Sequence, residues 1–240
     1  MGALKKKLRK YIPFPKRKTF AKWFPPFETR NLVHLVNGAG ITFVLDVGAN
    51  RGQYAERLRS AGYQGRILSF EPLSGPRAEL EKAAARDAGW MVYPPAALGA
   101  APASVTINVY RDDSLSSIHD FVPAAAGEKG RDLVSTETVP VVTLDAVFAE
   151  FVRPDDKVYL KIDVQGAERE VLAGASGVLD RIAGLQVELP LAPMYEGEAT
   201  MIDLLAEIDR LGFKMKFLVP VTNRRRLGPI DQIDGVFLRD

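Results

Sequence analysis

The chain has 240 residues, 47% hydrophobic and 26% charged, which is an ordinary globular composition with room for one α/β core. It contains no cysteine, which excludes disulfides, thiolate catalysis and cysteine-based zinc sites. No apolar run reaches the ~20 residues of a membrane span, and no apolar stretch follows the basic start as in a secretory signal.

The formal charge of +2 hides an asymmetry: nine of the 32 basic side chains precede the first acid, Glu28, leaving 23 against 30 acids in the rest. Residues 1–30 are broken by Pro13, Pro15, Pro25 and Pro26 and carry Tyr11, Phe14, Phe20, Trp23 and Phe24. This segment reads as a basic aromatic arm, and residues 31–240 as a single domain. Basic residues mixed with aromatics can adsorb to an anionic membrane, each Lys or Arg contributing about 1 kcal/mol. Peripheral membrane contact through residues 1–24 is therefore one expectation, a solvated tail the other, and nucleic acid a weaker third. A cytoplasmic protein, with the arm at the inner face of the membrane, is the matching location.

From residue 43 onward strand and helix patterns alternate. The run Phe43–Val47 ends in Gly48-Ala49-Asn50-Arg51-Gly52, and a helix-compatible segment follows. A second run, 66–70, ends in Glu71-Pro72. A glycine-rich strand-to-helix turn admits a ligand close to the backbone, and an acid at the tip of the next strand can accept from ribose hydroxyls. Together they point to a nucleoside cofactor across the carboxyl edge of a parallel sheet.

Pro76–Ala88 reads as a helix, 90–93 as a strand, and 94–142 as an insertion over the sheet edge. The insertion contains a strand at 104–110 and a polar turn at Asp112-Asp113-Ser114. Helices with threonine N-caps are expected at Thr143–Phe151 and at Thr200–Leu211, the second stopped by Gly212. The run 158–162 ends in Asp163, turns at Gly166 and enters a helix near Ala167; the run 184–189 holds Glu188. The final runs, 213–219 and 233–238, flank a loop without helical pattern and should pair antiparallel. The fold class is α/β, a mostly parallel sheet with helices on both faces.

Acids end four strands: Asp46, Glu71, Asp163 and Glu188. Any one of them alone is as readily an N-cap or an ion-pair partner as a functional group. Lys161 shares strand parity with Asp163 and is as well explained by pairing; Glu168 suits the first turn of a helix.

Several of these segments are similar to the FkbM-type S-adenosylmethionine-dependent O-methyltransferases. They are Leu45-Asp46-Val47-Gly48-Ala49-Asn50-Arg51-Gly52, Ser69-Phe70-Glu71-Pro72, Ala96-Ala97-Leu98-Gly99, Ser114-Leu115-Ser116-Ser117, Val142-Thr143-Leu144-Asp145, and Leu160-Lys161-Ile162-Asp163-Val164-Gln165-Gly166-Ala167-Glu168. The family commonly has Glu where Gln165 stands. The resemblance implies a Rossmann-like, seven-stranded class I methyltransferase sheet with its last strand antiparallel. It places the cofactor on Asp46, Gly48, Ala49, Asn50, Gly52, Glu71 and Pro72, with Ala97 and Leu98 beside the adenine. It further implies acceptors such as hydroxyls of sugars, glycolipids or polyketides.

Methyl transfer to a hydroxyl needs the oxygen held in line and helped to lose its proton. Two versions fit. Asp163 and Glu188 hold Mg²⁺, or Asp163 or His119 takes the proton directly. Ser116, Ser117 and Tyr195 are candidate substrate contacts by polarity and position. His34, in an apolar helical pattern, reads as structural. Two other classes remain: a nicotinamide-dependent oxidoreductase, although Gly48–Gly52 is not its G-x-G-x-x-G fingerprint, and a non-catalytic module binding membrane or nucleic acid. Oligomeric state is left open.

Overall fold

A computed structural model describes residues 26–220 and 231–239. The basic arm up to residue 25 and Arg224-Arg225-Arg226 lie outside the described residues.

Helix α1 (Phe27–Gly38) opens the described chain, so regular structure begins inside the segment read as an arm. It buries Leu32, Val33 and Val36 on one face and leaves His34 exposed on the other. There follow β1 (Phe43–Val47), α2 (Gln53–Ser60), β2 (Arg66–Phe70), α3 (Ser74–Ala84), β3 (Trp90–Val92), β4 (Ala97–Leu98), β5 (Ala103–Tyr110) and β6 (Leu133–Val142). The remainder is α4 (Leu144–Phe151), β7 (Val158–Ile162), α5 (Glu168–Ala173), β8 (Ile182–Pro190), α6 (Met201–Arg210), β9 (Phe213–Pro220) and β10 (Gln232–Arg239).

Seven strands form one sheet in the order β3-β2-β1-β7-β8-β10-β9. β1, β2, β3, β7 and β8 run parallel; β10 is antiparallel to both β8 and β9. This is the expected doubly wound sheet with its antiparallel final strand. Side-chain alternation along β1 and β7 divides the interior in two. Phe43, Leu45 and Val47 join Val158, Leu160 and Ile162 in one core, while Val44 and Tyr159 enter the other. Asp46 and Lys161 follow the second parity and stand opposite each other in register.

The helices carry the signals that start and stop them. Thr143 accepts from Ala146 N–H at 3.2 Å, and Thr200 from Asp203 N–H at 3.2 Å; such caps are worth about 1 kcal/mol each. Gly212 ends the α6 segment at φ +84°. α3 stops earlier than its pattern suggests, because the Asp87 carboxylate is drawn to Arg59 Nε at 2.6 Å and to Gly89 N–H at 2.9 Å.

The segment 94–142 is more ordered than an irregular insertion. It builds a second, three-stranded sheet, β4-β6-β5, with β5 and β6 antiparallel. Of the inward side chains, Ile107 and Val139 pack on Leu73 at the tip of the main sheet. β6 escaped the hydrophobic pattern because only Val139 and Val141 of its ten residues are buried. Among the described residues, no helix is long and apolar enough to cross a membrane.

Candidate active site

The carboxyl edge of the main sheet, roofed by the small sheet, encloses a cavity of about 450 Å³, well within the range of small-molecule sites. Its floor is the turn after β1. Gly48 and Ala49 donate backbone N–H groups to Phe70 O at 3.1 and 3.0 Å, which fixes this turn to the end of β2. Gly48 has φ +77°, and a Cβ there would lie 1.7 Å from the Asp163 carbonyl oxygen. The glycine is therefore demanded by the protein's own β7 end, apart from any ligand. Gly52, with φ +86°, leaves room for the Trp90 ring, which a Cβ would meet at 2.6 Å.

Glu71 stands at the tip of β2. Its Oε2 accepts from Asn50 N–H at 2.8 Å and its Oε1 from Leu73 N–H at 2.9 Å. The carboxyl group is buried and still lines the cavity. Burial pushes it up to about 7, against the two backbone donors and the charge of Lys161. Below it runs a hydrogen-bond chain: Trp90 Nε1 donates to Ser69 Oγ at 2.9 Å, and Ser69 Oγ to Asp46 Oδ2 at 3.1 Å.

Lys161 closes that chain. Its ammonium lies 3.3 Å from Asp46 Oδ1 and 3.3 Å from Asp163 Oδ2, and it donates to Gly48 O at 2.9 Å. Burial works against its charge, and the carboxylates of Asp163 and Asp46 more than offset this, so the amine is held above its ordinary value. Lys161 is paired, and its partners are the acids at two neighbouring strand ends, which no sequence spacing shows.

Beyond β7 the chain turns through Gln165 at φ +58°. Gln165 Nε2 donates to Asp163 Oδ1 at 2.8 Å and to Glu188 Oε2 at 2.7 Å. Its Oε1 lies 2.9 Å from the Tyr195 hydroxyl, which is also 2.9 Å from Leu115 O. Glu188 Oε2 accepts a second amide, Gln232 Nε2, at 2.8 Å. Burial, and then the charges of Asp163 and Glu168, hold the Glu188 carboxyl well above the usual range. Glu168 turns back on its own loop, accepting from Val164 N–H at 3.0 Å and Gly166 N–H at 3.1 Å. Burial pushes it up to about 7, so it is less the free dipole-facing charge expected than a buried loop clasp.

The expected site residues separate into two sets. Gly48, Ala49, Asn50, Glu71 and Pro72 line the cavity, as do Ala97 and Leu98 on β4. Asp163, Ser116 and Ser117 face it from the other side; the Ser117 hydroxyl is already bonded to Gln165 O at 2.6 Å. Asp46 and Gly52 do not reach the wall: one is buried beneath the turn with Lys161, the other packs on Trp90. Glu188 and Tyr195 are buried behind Gln165. His119 is half-buried away from the cavity, in the field of Glu198. These five stand off the cavity wall, because the turns and strands that carry them pack inward.

Asp113 was passed over as part of a polar turn. It lines the cavity and accepts from Asn50 Nδ2 at 3.3 Å and from Arg51 Nη2, joining the small-sheet segment to the glycine turn.

The carboxylate pair does not fit a magnesium ion. The place between Asp163 and Glu188 is bridged by an amide NH₂, and Glu188 is buried off the cavity wall, whereas Mg²⁺ usually keeps several waters. Among the described residues, no group of three or more His, Asp or Glu side chains is placed to hold a metal.

The Methyltransferase FkbM domain model matches residues 46–215. The match takes in the glycine turn after β1, the acid at the tip of β2 and most of the sheet, and the chain belongs to the FkbM methyltransferase family. Among solved structures it is similar to the FkbM methyltransferase of Methylobacillus flagellatus KT, at 16% identity and TM-score 0.49, over 82% of this chain and 43% of that one. It thus spans less than half of that relative. It is also similar to Synechocystis magnesium protoporphyrin IX methyltransferase with bound S-adenosylmethionine (12% identity, TM-score 0.46, 100% of this chain and 92% of that one). A third is Aeropyrum pernix fibrillarin in complex with S-adenosyl-L-methionine (11% identity, TM-score 0.48, 87% of this chain and 74% of that one). No curated protein matches the chain.

Proposed function

We propose that this domain transfers the methyl group of S-adenosylmethionine to a hydroxyl of a sugar, glycolipid or polyketide-type acceptor. The observation that carries the reading is the Glu71 carboxylate, fixed by two backbone donors on the wall of a cavity beside the Gly48–Asn50 turn. A carboxylate so held can accept from two vicinal ribose hydroxyls. Ala97 and Leu98 offer an apolar surface for an adenine, and the turn at Gly48, Ala49 and Asn50 offers backbone to the amino-acid end.

When bound, the cofactor supplies an electrophilic methyl on a sulfonium. The C–O bond would form as the C–S bond breaks with its electron pair going to sulfur, and the hydroxyl would give its proton to a base of the protein. Asp163 is the residue for that proton. Its carboxylate lines the cavity, with Oδ2 held by Lys161 and Oδ1 by Gln165. Two anchors fix its direction, and each carboxylate oxygen keeps further lone-pair capacity for a hydroxyl. Ser116 supports the acceptor from the roof. The proton goes to Asp163 directly; no step runs through magnesium.

The acceptor class rests on the apolar roof residues Val105, Ile107, Ile118 and Val141, which stand beside the hydroxyls of Ser116 and Ser117. This suits a hydroxyl on a largely apolar or lipid-linked skeleton. The nine basic residues of positions 1–22 would then hold the protein at an anionic membrane face.

Calorimetric titration with S-adenosylhomocysteine, NAD and NADP tests the cofactor. Saturable binding of the first alone supports the reading, and a nicotinamide preference overturns it. Mass spectrometry of candidate glycolipids and polyketides, seeking the gain of one CH₂, then identifies the acceptor.

A further inference from the structure

The carboxylates of Asp163 and Glu188 approach each other at the ends of adjacent parallel strands, an arrangement that ordinarily calls for a cation or a shared proton. Here no cation need be invoked, because both accept from one nitrogen, and burial together with the charge of Asp163 favours a proton on Glu188. Gln165 Nε2 lies 2.8 Å from Asp163 Oδ1 and 2.7 Å from Glu188 Oε2. The orientation of this amide is fixed by its surroundings. Turning it over would set Oε1 against two carboxylates and leave Nε2 facing the Tyr195 hydroxyl, which can donate its proton to Oε1 as placed. The backbone holds it too: Gln165 sits at φ +58°, and its carbonyl accepts from Ser117 Oγ at 2.6 Å. With 8% of its surface exposed, the side chain seals Glu188 from the cavity while Asp163 remains on the wall.

We propose that Gln165 takes the place of a metal ion at this carboxylate pair, so that the site binds no divalent cation, and that this one residue decides whether it can. Gln165 is a positioning residue: it bridges Asp163 to Glu188 with two N–H bonds and keeps the Asp163 carboxylate aimed into the cavity. Replacing its amide by a carboxylate removes the bridging donor and adds a third acid to the pair. Lys161 already faces one oxygen of Asp163, so the added acid calls for a further cation or a proton, and affinity for hard divalent ions rises with carboxylate count. The catalytic consequence rests on the methyl-transfer reading above; the cation chemistry does not.

The test is a Mn²⁺ titration of the full-length protein followed by electron paramagnetic resonance, with melting curves in Mg²⁺, on wild type, Asp163→Asn and Gln165→Glu. The wild type should show no saturable Mn²⁺ site and an unmoved melting midpoint. Gln165→Glu should gain one equivalent of Mn²⁺, bound at least about tenfold more tightly than by wild type, and melt higher in Mg²⁺. A saturable wild-type site that Asp163→Asn removes would overturn the proposal. So would a folded Gln165→Glu protein whose titration matches wild type. The wild-type arm decides the first point without requiring any variant to fold. Binding of S-adenosylhomocysteine to the same samples reports separately on the cofactor reading.

Discussion

Asn50 donates its backbone N–H to Glu71 Oε2 at 2.8 Å, tying the turn after β1 to the tip of β2. This bond joins the two motifs that the sequence sets about twenty residues apart, and it orients the acid before any ligand arrives. A pre-oriented acceptor loses little on binding.

Glu71→Gln should therefore weaken S-adenosylhomocysteine binding by roughly 10- to 100-fold, the loss of charged-acceptor hydrogen bonds worth about 1.5–3 kcal/mol. Calorimetry measures it. An unchanged affinity would remove Glu71 from the site.

Asp163→Asn keeps the shape of the side chain and removes its basicity. Turnover should fall by about 10²-fold or more, whereas His119→Ala, away from the cavity wall, should keep wild-type turnover. Steady-state rates for the two variants separate the bases: the opposite pattern would return the proton to His119.

Gly48→Ala sets a methyl 1.7 Å from the Asp163 carbonyl oxygen at a left-handed φ. The end of β7 would have to move. Urea unfolding should show a loss of roughly 3 kcal/mol or more; a near-neutral result would mean that the two strand ends are loosely apposed.

Stability should also depend on pH in a direction that these buried acids set. Burial raises Glu71 and Glu168 from 4.5 to about 7, and Asp234 from 3.8 to about 7. A carboxyl whose folded value exceeds its unfolded one binds its proton more tightly when folded. Its contribution is thus full below the unfolded value and is lost as pH rises through the folded value, so stability falls across the window from about 4.5 to 7. For Glu168 alone the difference is up to about 3 kcal/mol. Melting midpoints should be lower at about pH 8 than at about pH 5.5, and Glu168→Gln should lose part of that slope. An identical slope in the variant would contradict the burial argument.

Much of this architecture was legible in the chain. Runs such as Phe43–Val47 and Val158–Ile162 are apolar throughout because both faces of a parallel strand are covered. The turn glycines and threonine caps punctuate them. β6 was not legible, because an exposed strand with two buried valines carries no clear period. At the site, Glu71 and Asp163 follow strand ends that the apolar runs mark, and both line the cavity. The sequence could not show which way Asp46 and Glu188 point, since that depends on a partner across the sheet: Lys161 for one, Gln165 for the other. Gln165 itself was noticed only as a departure from the family's usual Glu; its bridging role is a matter of distances.

The account stands most directly on where the nucleoside lies. A crystal of this protein soaked in S-adenosylhomocysteine should show the ligand over the Gly48–Asn50 turn, with both ribose hydroxyls within hydrogen-bond distance of the Glu71 carboxylate. A ligand bound elsewhere, or a sugar turned away from Glu71, would contradict it.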